Sequence, residues 1–557
     1  MLGGYNLIKG LFNILAGNFL GQSPAWYKIT IVSFLVVNPL LYYFISPFVA
    51  GWVVLVQFIF TLACALKCYP LQPGGLLAIQ AILIGLTNTH TVYEEVRVNV
   101  PTLMLLIFMV SAIFFIKDML FLAMTKLILS IRRKHILCLV FCIICAFLSA
   151  FVEPFPLVAI AVAVCFNFYA IYHRAEGQGN NKEELEELRG FLRNLMIHAV
   201  AGAIMGGAMT KVGEPQNYMI GDKMGWEFVE FFRHCAIISI PAAIAGFITC
   251  FSLEYFRFPG YRHQLPERAR ELILKDYKKK INEMTANNFY VYVIQVLLFL
   301  LMILALAFHV AEVGLIGIGL IVIITAFTGL TNEHDLGVAF TNAMPFAVLI
   351  VVFFAILGVV HEQHLVAPLA EWVFTFSGKA QLIALYFTNG SLSFVSDNVF
   401  IASIFINEVD YAYASGVIAD LIRNGSIEAA FADGTFTQFI SDAKMAYNND
   451  LIIQFLNKIE VANANGTLAT LMSDLKVQYA NTRVISREDY EKLAVVVNMG
   501  TNIPSMATPN GHAALLFLLT SSLAPVLGLS YFKMFKLTLP YAIVMTLAGA
   551  VAIYYNL

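Results

Sequence analysis

Apolar stretches separated by short polar breaks run along almost the whole chain. They fall near 29–48, 50–67, 74–88, 101–121, 136–152, 155–172, 195–212 and 235–256. After a charged interval they resume near 289–309, 312–330, 344–361, 381–395, 398–407, 493–506, 512–527 and 537–555. A membrane crossing takes about 20 apolar helical residues, so the pattern predicts an all-α polytopic membrane protein. Several stretches are too short or too interrupted to span alone. The stretch 136–172 is cut by Glu153, Pro154 and Pro156, and 381–407 by Ser396, Asp397 and Asn398. Each reads as a re-entrant helical hairpin with a polar tip inside the membrane. Non-helical backbone is tolerated at that depth only where it lines a cavity or is packed in protein.

The pattern repeats. Gly85-Leu86-Thr87-Asn88-Thr89-His90 returns as Gly329-Leu330-Thr331-Asn332-Glu333-His334, 244 positions later. Pro101 and Pro345, Leu148-Ser149 and Leu392-Ser393, and the acids Glu153 and Asp397 keep that offset. Farther on, Met205-Gly206 pairs with Met499-Gly500, and Gly213-Glu214-Pro215-Gln216-Asn217 with Ala507-Thr508-Pro509-Asn510-Gly511, at an offset of 294. A run of matches at one ungapped offset marks a duplication. The change of offset makes the polar stretch 410–489 an insertion in the second half. The expected organisation is an amphipathic segment over 1–28 lying at the membrane surface, a first membrane half over 29–256, a basic linker over 257–288 and a second half over 289–557. Interrupted helices are expected near 213–217 and 507–511.

Only 13% of residues are charged and 59% are hydrophobic, with a mean hydropathy of +0.77. Soluble domains carry roughly 25% charged residues, so the balance excludes an ordinary soluble enzyme, a disordered chain and a nucleic-acid binder. Residues 1–28 lack the compact apolar core of a cleavable signal. The eight cysteines lie in or beside apolar segments and read as buried small hydrophobes; Cys138, Cys142 and Cys145 have only His135 nearby in sequence as a further metal ligand.

Charge placement sets orientation. The 257–280 loop has eight basic residues against three acids, and Arg132, Arg133, Lys134, Lys533 and Lys536 mark further cytoplasmic loops. The 410–489 insertion has six basic and ten acidic residues and suits the outside. These placements agree if both hairpins re-enter without crossing, giving about eleven crossings, five per repeat, with the N-terminus cytoplasmic. An odd number per repeat makes the two halves face opposite ways.

Inverted repeats with hairpins and broken helices are how secondary transporters build a midplane site. An ionisable group at membrane depth is by default a functional candidate, and here these are Glu153, Asp397 and Glu214. Ser149, Ser393, Ser396, Asn398, Asn217, Thr508 and Asn510 add hydroxyl and amide oxygens. Such a set suits a small hard cation, Na+ at Asp397 and Glu153, competing with a proton for the same carboxylates. Alternated across the membrane, that competition is cation/proton antiport, which needs no cofactor and no nucleotide; no Walker-type loop is present. Lys211 is a candidate charge partner for Glu214. His90 and His334 sit in turn-forming elements and are candidates for pH sensing. His361-Glu362-Gln363-His364 lacks the spacing of a zinc-protease motif. A sodium-coupled dicarboxylate carrier would be repelled by acids at the hairpin tips, and an intramembrane enzyme would need a nucleophile–base pair or metal set at one depth.

Five strings carry a family resemblance: Asn18-Phe19-Leu20-Gly21-Gln22-Ser23-Pro24; Cys68-Tyr69-Pro70-Leu71 with Pro73-Gly74-Gly75-Leu76-Leu77; Val212-Gly213-Glu214-Pro215-Gln216-Asn217; Ser396-Asp397-Asn398-Val399-Phe400; and Ala507-Thr508-Pro509-Asn510-Gly511. The chain resembles the NhaB-type bacterial sodium/proton antiporters from about residue 15 to 550, outside the insertion. The resemblance implies a multi-pass exchanger of the bacterial inner membrane, moving Na+ or Li+ out and H+ in electrogenically. Its partners would be those ions, the lipid bilayer and a second copy in a homodimer. The chain departs from the family at Glu153-Pro154-Phe155-Pro156, which stands for an Asp-Ala-Leu-Thr string, at Lys211 and in the length of its insertion. The insertion reads as an embellishment, so 412–487 is expected to be dispensable for transport.

Overall fold

The computed structural model describes residues 14, 17–176, 182–341, 343–447 and 449–557. Most of the expected surface segment 1–28 lies outside the described residues. Among those described there is no strand: the chain is a bundle of helices joined by short turns. Among the described residues, seven helices are long and apolar enough to cross a membrane: Ala25–Phe44, Val100–Ser130, Pro154–Ala175, Phe228–Tyr255, Ala286–Ala307, Met344–Glu362 and Tyr531–Asn556. Shorter apolar helices are Pro47–Ala63, Leu71–Ile84, Lys134–Ser149 and Val313–Thr328. Their outward faces are apolar too, as Ile244, Ile248, Leu297, Leu300 and Leu304 illustrate. That is the surface of a chain solvated by lipid.

Helix ends recur 244 positions apart. Lys134–Ser149 and Gly378–Ser393 match at both ends, and Pro154–Glu176 and Asn398–Arg423 match at their starts. So do Thr89–Val98 with Glu333–Thr341, and Val100–Ser130 with Met344–Glu362. Leu71–Ile84 and Val313–Thr328 both stop at a left-handed glycine, Gly85 (φ 87°) and Gly329 (φ 74°). Glycine adopts that conformation without steric cost and so ends a helix sharply.

Both hairpins pack their incoming helix against a helix that breaks. Lys134–Ser149 lies on Lys182–Gly207, where a Cβ at Gly202 would sit 2.2 Å from the Cys142 carbonyl oxygen and one at Gly206 1.8 Å from that of Ala146. Gly378–Ser393 lies on Arg487–Ser505, where a Cβ at Gly500 would come within 3.0 Å of the Tyr386 carbonyl. Small residues let helix backbones touch where burial of apolar surface from water provides no drive. The first broken helix leaves helical geometry over 208–214 and resumes as Pro215–Met224; the second leaves it over 506–512 and resumes at Ala513–Thr520. Gln216 and Asn217 therefore sit in the first turn of the resumed helix.

The polar stretch after the second hairpin is also helical. Asn398–Arg423 runs on well beyond 407, and the short helices Ser426–Ala432, Phe436–Ala446, Asp450–Ala464 and Leu468–Gln478 follow. They bury Ile427, Ile440, Ile452, Leu456, Ile459 and Met472, which continue the core of the membrane helices. The basic linker contributes the amphipathic helix Glu267–Asn282.

Candidate functional site

The two hairpin tips and the two helix breaks converge. Pro215 opens the resumed half-helix, where its missing N–H costs nothing. Asn217 Nδ2 turns back to donate to the carbonyls of Gly207 (2.7 Å) and Thr210 (2.8 Å), which the break has stripped of helical partners. Thr210 Oγ1 donates to Ala150 O (2.5 Å) in the first hairpin, and Thr508 Oγ1 to Phe394 O (2.6 Å) in the second. Ala150 and Phe394 are themselves 244 positions apart, so each break is pinned to an equivalent hairpin carbonyl.

Glu214 occupies the middle. It precedes the resumed helix but does not cap it. Its carboxylate accepts from Gln216 Nε2 (2.7 Å), from Asn398 Nδ2 of the second hairpin (2.8 Å) and from His512 Nε2 of the second break (2.8 Å). His512 Nδ1 accepts from the Ala514 backbone N–H (3.3 Å), so the ring proton is on Nε2, facing Glu214. Gln216 also donates to Asn502 Oδ1 (2.7 Å), and Asn502 donates to Asn217 Oδ1 (3.1 Å) and Asn498 Oδ1 (2.8 Å). On the other side, a Cβ at Gly207 would lie 3.0 Å from both Glu214 Oε1 and Pro154 Cγ, so the carboxylate abuts the first hairpin's tip.

Glu153 and Asp397 are buried at the two tips, within electrostatic reach of Glu214 and of each other. Asp397 Oδ1 caps the outgoing helix by accepting from Val399 N (2.9 Å). Ser149, Ser393 and Ser396 present buried hydroxyl oxygens that have no hydrogen-bond partner among the described residues, and so does the Asn389 amide one turn before Ser393. Three buried carboxylates within electrostatic reach of one another call for a positive charge, as a proton or a cation.

Other expected residues lie elsewhere. Asn510 donates to Tyr531 Oη (3.2 Å), away from Glu214. Lys211 is buried, but its ammonium lies over the Tyr218 ring (5.1 Å) and in the field of Asp222. His90 and His334 are exposed. The neighbouring Asn88 does cap its helix, accepting from Thr91 N (2.9 Å), while Asn88 and Thr91 both donate to Glu362. His361 is bound to Glu95 (2.5 Å) and Asn407 (3.1 Å).

The sequence strings did not include His512 or Asn502. His512 directly follows Gly511 of the second break, and a buried histidine beside a broken helix was the available signal. Cys138 gains neighbours that sequence proximity hides: His198 and Glu254 place ligand-type atoms within 4.8 Å of its sulfur. Those groups are already engaged, with His198 bonded to Tyr541 Oη (2.6 Å) and Glu254 (2.8 Å), and Glu254 to Lys134 (2.5 Å).

Two cavities flank the site. One of about 340 Å³ reaches Phe155, Pro156 and Phe517, with Lys117 and Asp118 in its wall. The other, about 700 Å³, lies beside the short helices after the second hairpin and is lined by acids including Asp222, Glu408, Asp410 and Asp450.

The family model for the bacterial Na+/H+ antiporter B (NhaB) matches residues 9–441 and 438–557. The Na+/H+ antiporter NhaB of Pectobacterium carotovorum subsp. carotovorum (strain PC1) is 43% identical over 564 residues, covering 98% of this chain and 94% of that protein. That of Shewanella denitrificans is 43% identical over 552 residues (96% and 92%), and that of Pseudomonas entomophila 41% over 563 (98% and 99%). With whole-chain similarity of this order and a buried carboxylate cluster formed where broken helices meet hairpin tips, the chain belongs to the NhaB family of bacterial Na+/H+ antiporters.

Proposed function

We propose that this protein exchanges cytoplasmic Na+, or Li+, for external H+ across the bacterial inner membrane. The observation that carries the reading is Glu214: it belongs to the first half, yet two of its three hydrogen-bond donors, Asn398 and His512, belong to the second. A change in the charge carried at Glu214 is thereby felt by both halves. In this scheme Glu214, Glu153 and Asp397 bind either protons or one desolvated cation, with Ser149, Ser393 and Ser396 replacing water around the ion. Loading with Na+ displaces protons and loading with protons displaces Na+. The two halves face opposite ways, five crossings each, so their rocking exposes the site to one side at a time. No cofactor enters the cycle; Na+ and H+ are cargo. A Na+:H+ ratio other than one to one makes it electrogenic.

Everted membrane vesicles carrying an acid-trapped dye test this. Addition of Na+ or Li+ should dequench the dye, and Glu214→Gln and Asp397→Asn should abolish the response while the protein remains inserted. Failure of both ions to dequench, with succinate accumulated instead, would assign the chain to anion carriage.

A further inference from the structure

At one end of the bundle, a cleft of about 400 Å³ opens between the start of the first hairpin, the end of Phe228–Tyr255 and the linker. Six of the residues lining it are arginine or lysine, against two carboxylates, Glu254 and Glu267. Three of the six cations are engaged: Lys134 pairs with Glu254 (2.5 Å), Arg270 donates to the carbonyls of Leu129 (3.1 Å) and Ile131 (3.4 Å), and Arg262 Nε donates to the carbonyl of Arg257 (3.3 Å). Arg132, Arg133, Arg257 and Arg262 are exposed and have no carboxylate partner among the described residues. The helix Lys134–Ser149 begins in this cleft with no side chain capping it, so its free N–H groups and dipole add to the positive field.

What leads up to the cleft is apolar. Ile237, Ile240, Ile244, Ile248 and Tyr255 are exposed at helical spacing along Phe228–Tyr255, a continuous stripe ending at the cleft. There the chain reads Tyr255-Phe256-Arg257-Phe258, with all three aromatic side chains exposed. Aromatics alternating with a basic residue at the end of a membrane helix mark the headgroup level of a bilayer. Free phosphate would need the basic pocket alone; a lipid would use the pocket for its headgroup and the stripe for an acyl chain.

We infer that this cleft is a binding site for the phosphate of an anionic phospholipid, with the lipid's chain lying along the Ile244–Ile248–Tyr255 face. Arg133 and Arg257 hold the phosphate oxygens, and the uncapped start of Lys134–Ser149 faces them. Because Lys134 begins the hairpin arm that leads to Ser149 and the tip acid Glu153, the bound lipid braces that hairpin at its outer end.

The test uses the full-length protein in neutral detergent, titrated separately with phosphatidylglycerol, phosphatidylcholine of the same chains and inorganic phosphate. Bound lipid is read by native mass spectrometry and stability by Tm. Phosphatidylglycerol should remain bound and raise Tm, while phosphatidylcholine and millimolar phosphate should do neither. The double variant Arg133→Gln/Arg257→Gln should weaken phosphatidylglycerol binding by at least about tenfold, and Arg133→Lys/Arg257→Lys should recover most of it. Lys278→Gln/Lys279→Gln/Lys280→Gln, on the adjoining helix, should bind like the unmodified protein. Equal retention of the two lipids, equal weakening by the two sets of glutamine substitutions, or a Tm rise with phosphate matching that with phosphatidylglycerol overturns the assignment. The lipid comparison on the unmodified protein stands whether or not a variant folds.

Discussion

Each of the three hydrogen-bond donors to Glu214 can be removed separately, and His512 is the most informative. Its Nδ1 is held by the Ala514 N–H, so the ring delivers Nε2–H to Glu214 Oε1 in a fixed direction. A hydrogen bond to a charged group contributes about 1.5–3 kcal/mol. On that scale His512→Ala should raise the Na+ concentration for half-maximal dye response about tenfold or more, and His512→Gln, which keeps an amide donor, should do so less. An unchanged value in His512→Ala would mean that Glu214 is not where Na+ binds. Ser393→Ala and Ser396→Ala make a complementary pair. Their hydroxyls have no partner among the described residues, so their removal forfeits no hydrogen bond within the protein; each variant should melt close to the parent Tm and still show weakened Na+ activation. At this scale the acids and serines were legible in the sequence because a polar residue inside an apolar run is conspicuous. His512 and Asn502 were not: His512 directly follows the second break and was passed over, and Asn502 gains meaning only when the second half is folded onto the first. Lys211 shows the converse: three residues from Glu214 in sequence, it crosses to Tyr218 in space.

Helices 134–149 and 182–207 touch backbone to backbone, which makes the first hairpin's position depend on two glycines. A methyl at Gly206 would lie 1.8 Å from the Ala146 carbonyl oxygen, and neither backbone can yield without shifting a helix. Overpacking of this kind costs typically 1–3 kcal/mol. Gly206→Ala should therefore lower Tm and, by moving Ser149 and Glu153 relative to Glu214, reduce exchange more than a stability loss of that size explains. Gly319→Ala is the control: it faces open space in Val313–Thr328, and removing a helical glycine stabilises by about 0.5–1 kcal/mol. If Gly206→Ala melts and exchanges like the parent, the close helix approach is not a constraint on the site. The hairpins and breaks were readable from proline, glycine and acid placed in apolar runs. The outer extent of Asn398–Arg423 was not: Glu408, Asp410 and Asp420 placed the chain past 407 in a polar insertion, although Val409, Tyr413, Val417 and Leu421 are buried.

Over the whole molecule, the short helices between 426 and 478 pack on one another and on Asn398–Arg423, their buried residues continuous with the main core, on the rim of the acid-lined cavity. The two stretches matched by the family model overlap at 438–441, inside this unit, and leave none of it unmatched; together with relatives aligned over 98% of this chain, this corrects the expectation that the insertion is longer than the family's: the unit is a family feature. The structure narrows what can be removed. Deleting 412–487 would remove Tyr413, which stacks on Tyr490 (4.2 Å), and with it the close packing of Gly416 on the Arg483 carbonyl, where a Cβ would lie 2.8 Å from the oxygen. Those contacts belong to the membrane-proximal helices, so that deletion should destabilise the protein. Arg423, however, donates to the carbonyls of Tyr479 (2.7 Å), Ala480 (2.8 Å) and Thr482 (2.6 Å), which brings the two ends of the unit side by side. Replacing 425–480 with about four glycine and serine residues can therefore close the gap, since that many residues extend to roughly 13 Å. The expected outcome is Na+-driven dequenching with the same Na+ dependence as the full chain, because Glu214, Asp397 and His512 take no partner from the unit. The acids on the cavity rim act differently: Asp450 is removed and Asp410 loses Asn449. If that rim gathers cations ahead of the site, the shortened protein should show slower Na+ uptake at low ionic strength and a normal rate at high salt, where screening abolishes steering. Loss of exchange at every ionic strength, in a shortened protein that inserts and melts normally, would instead make the unit part of the transport machinery.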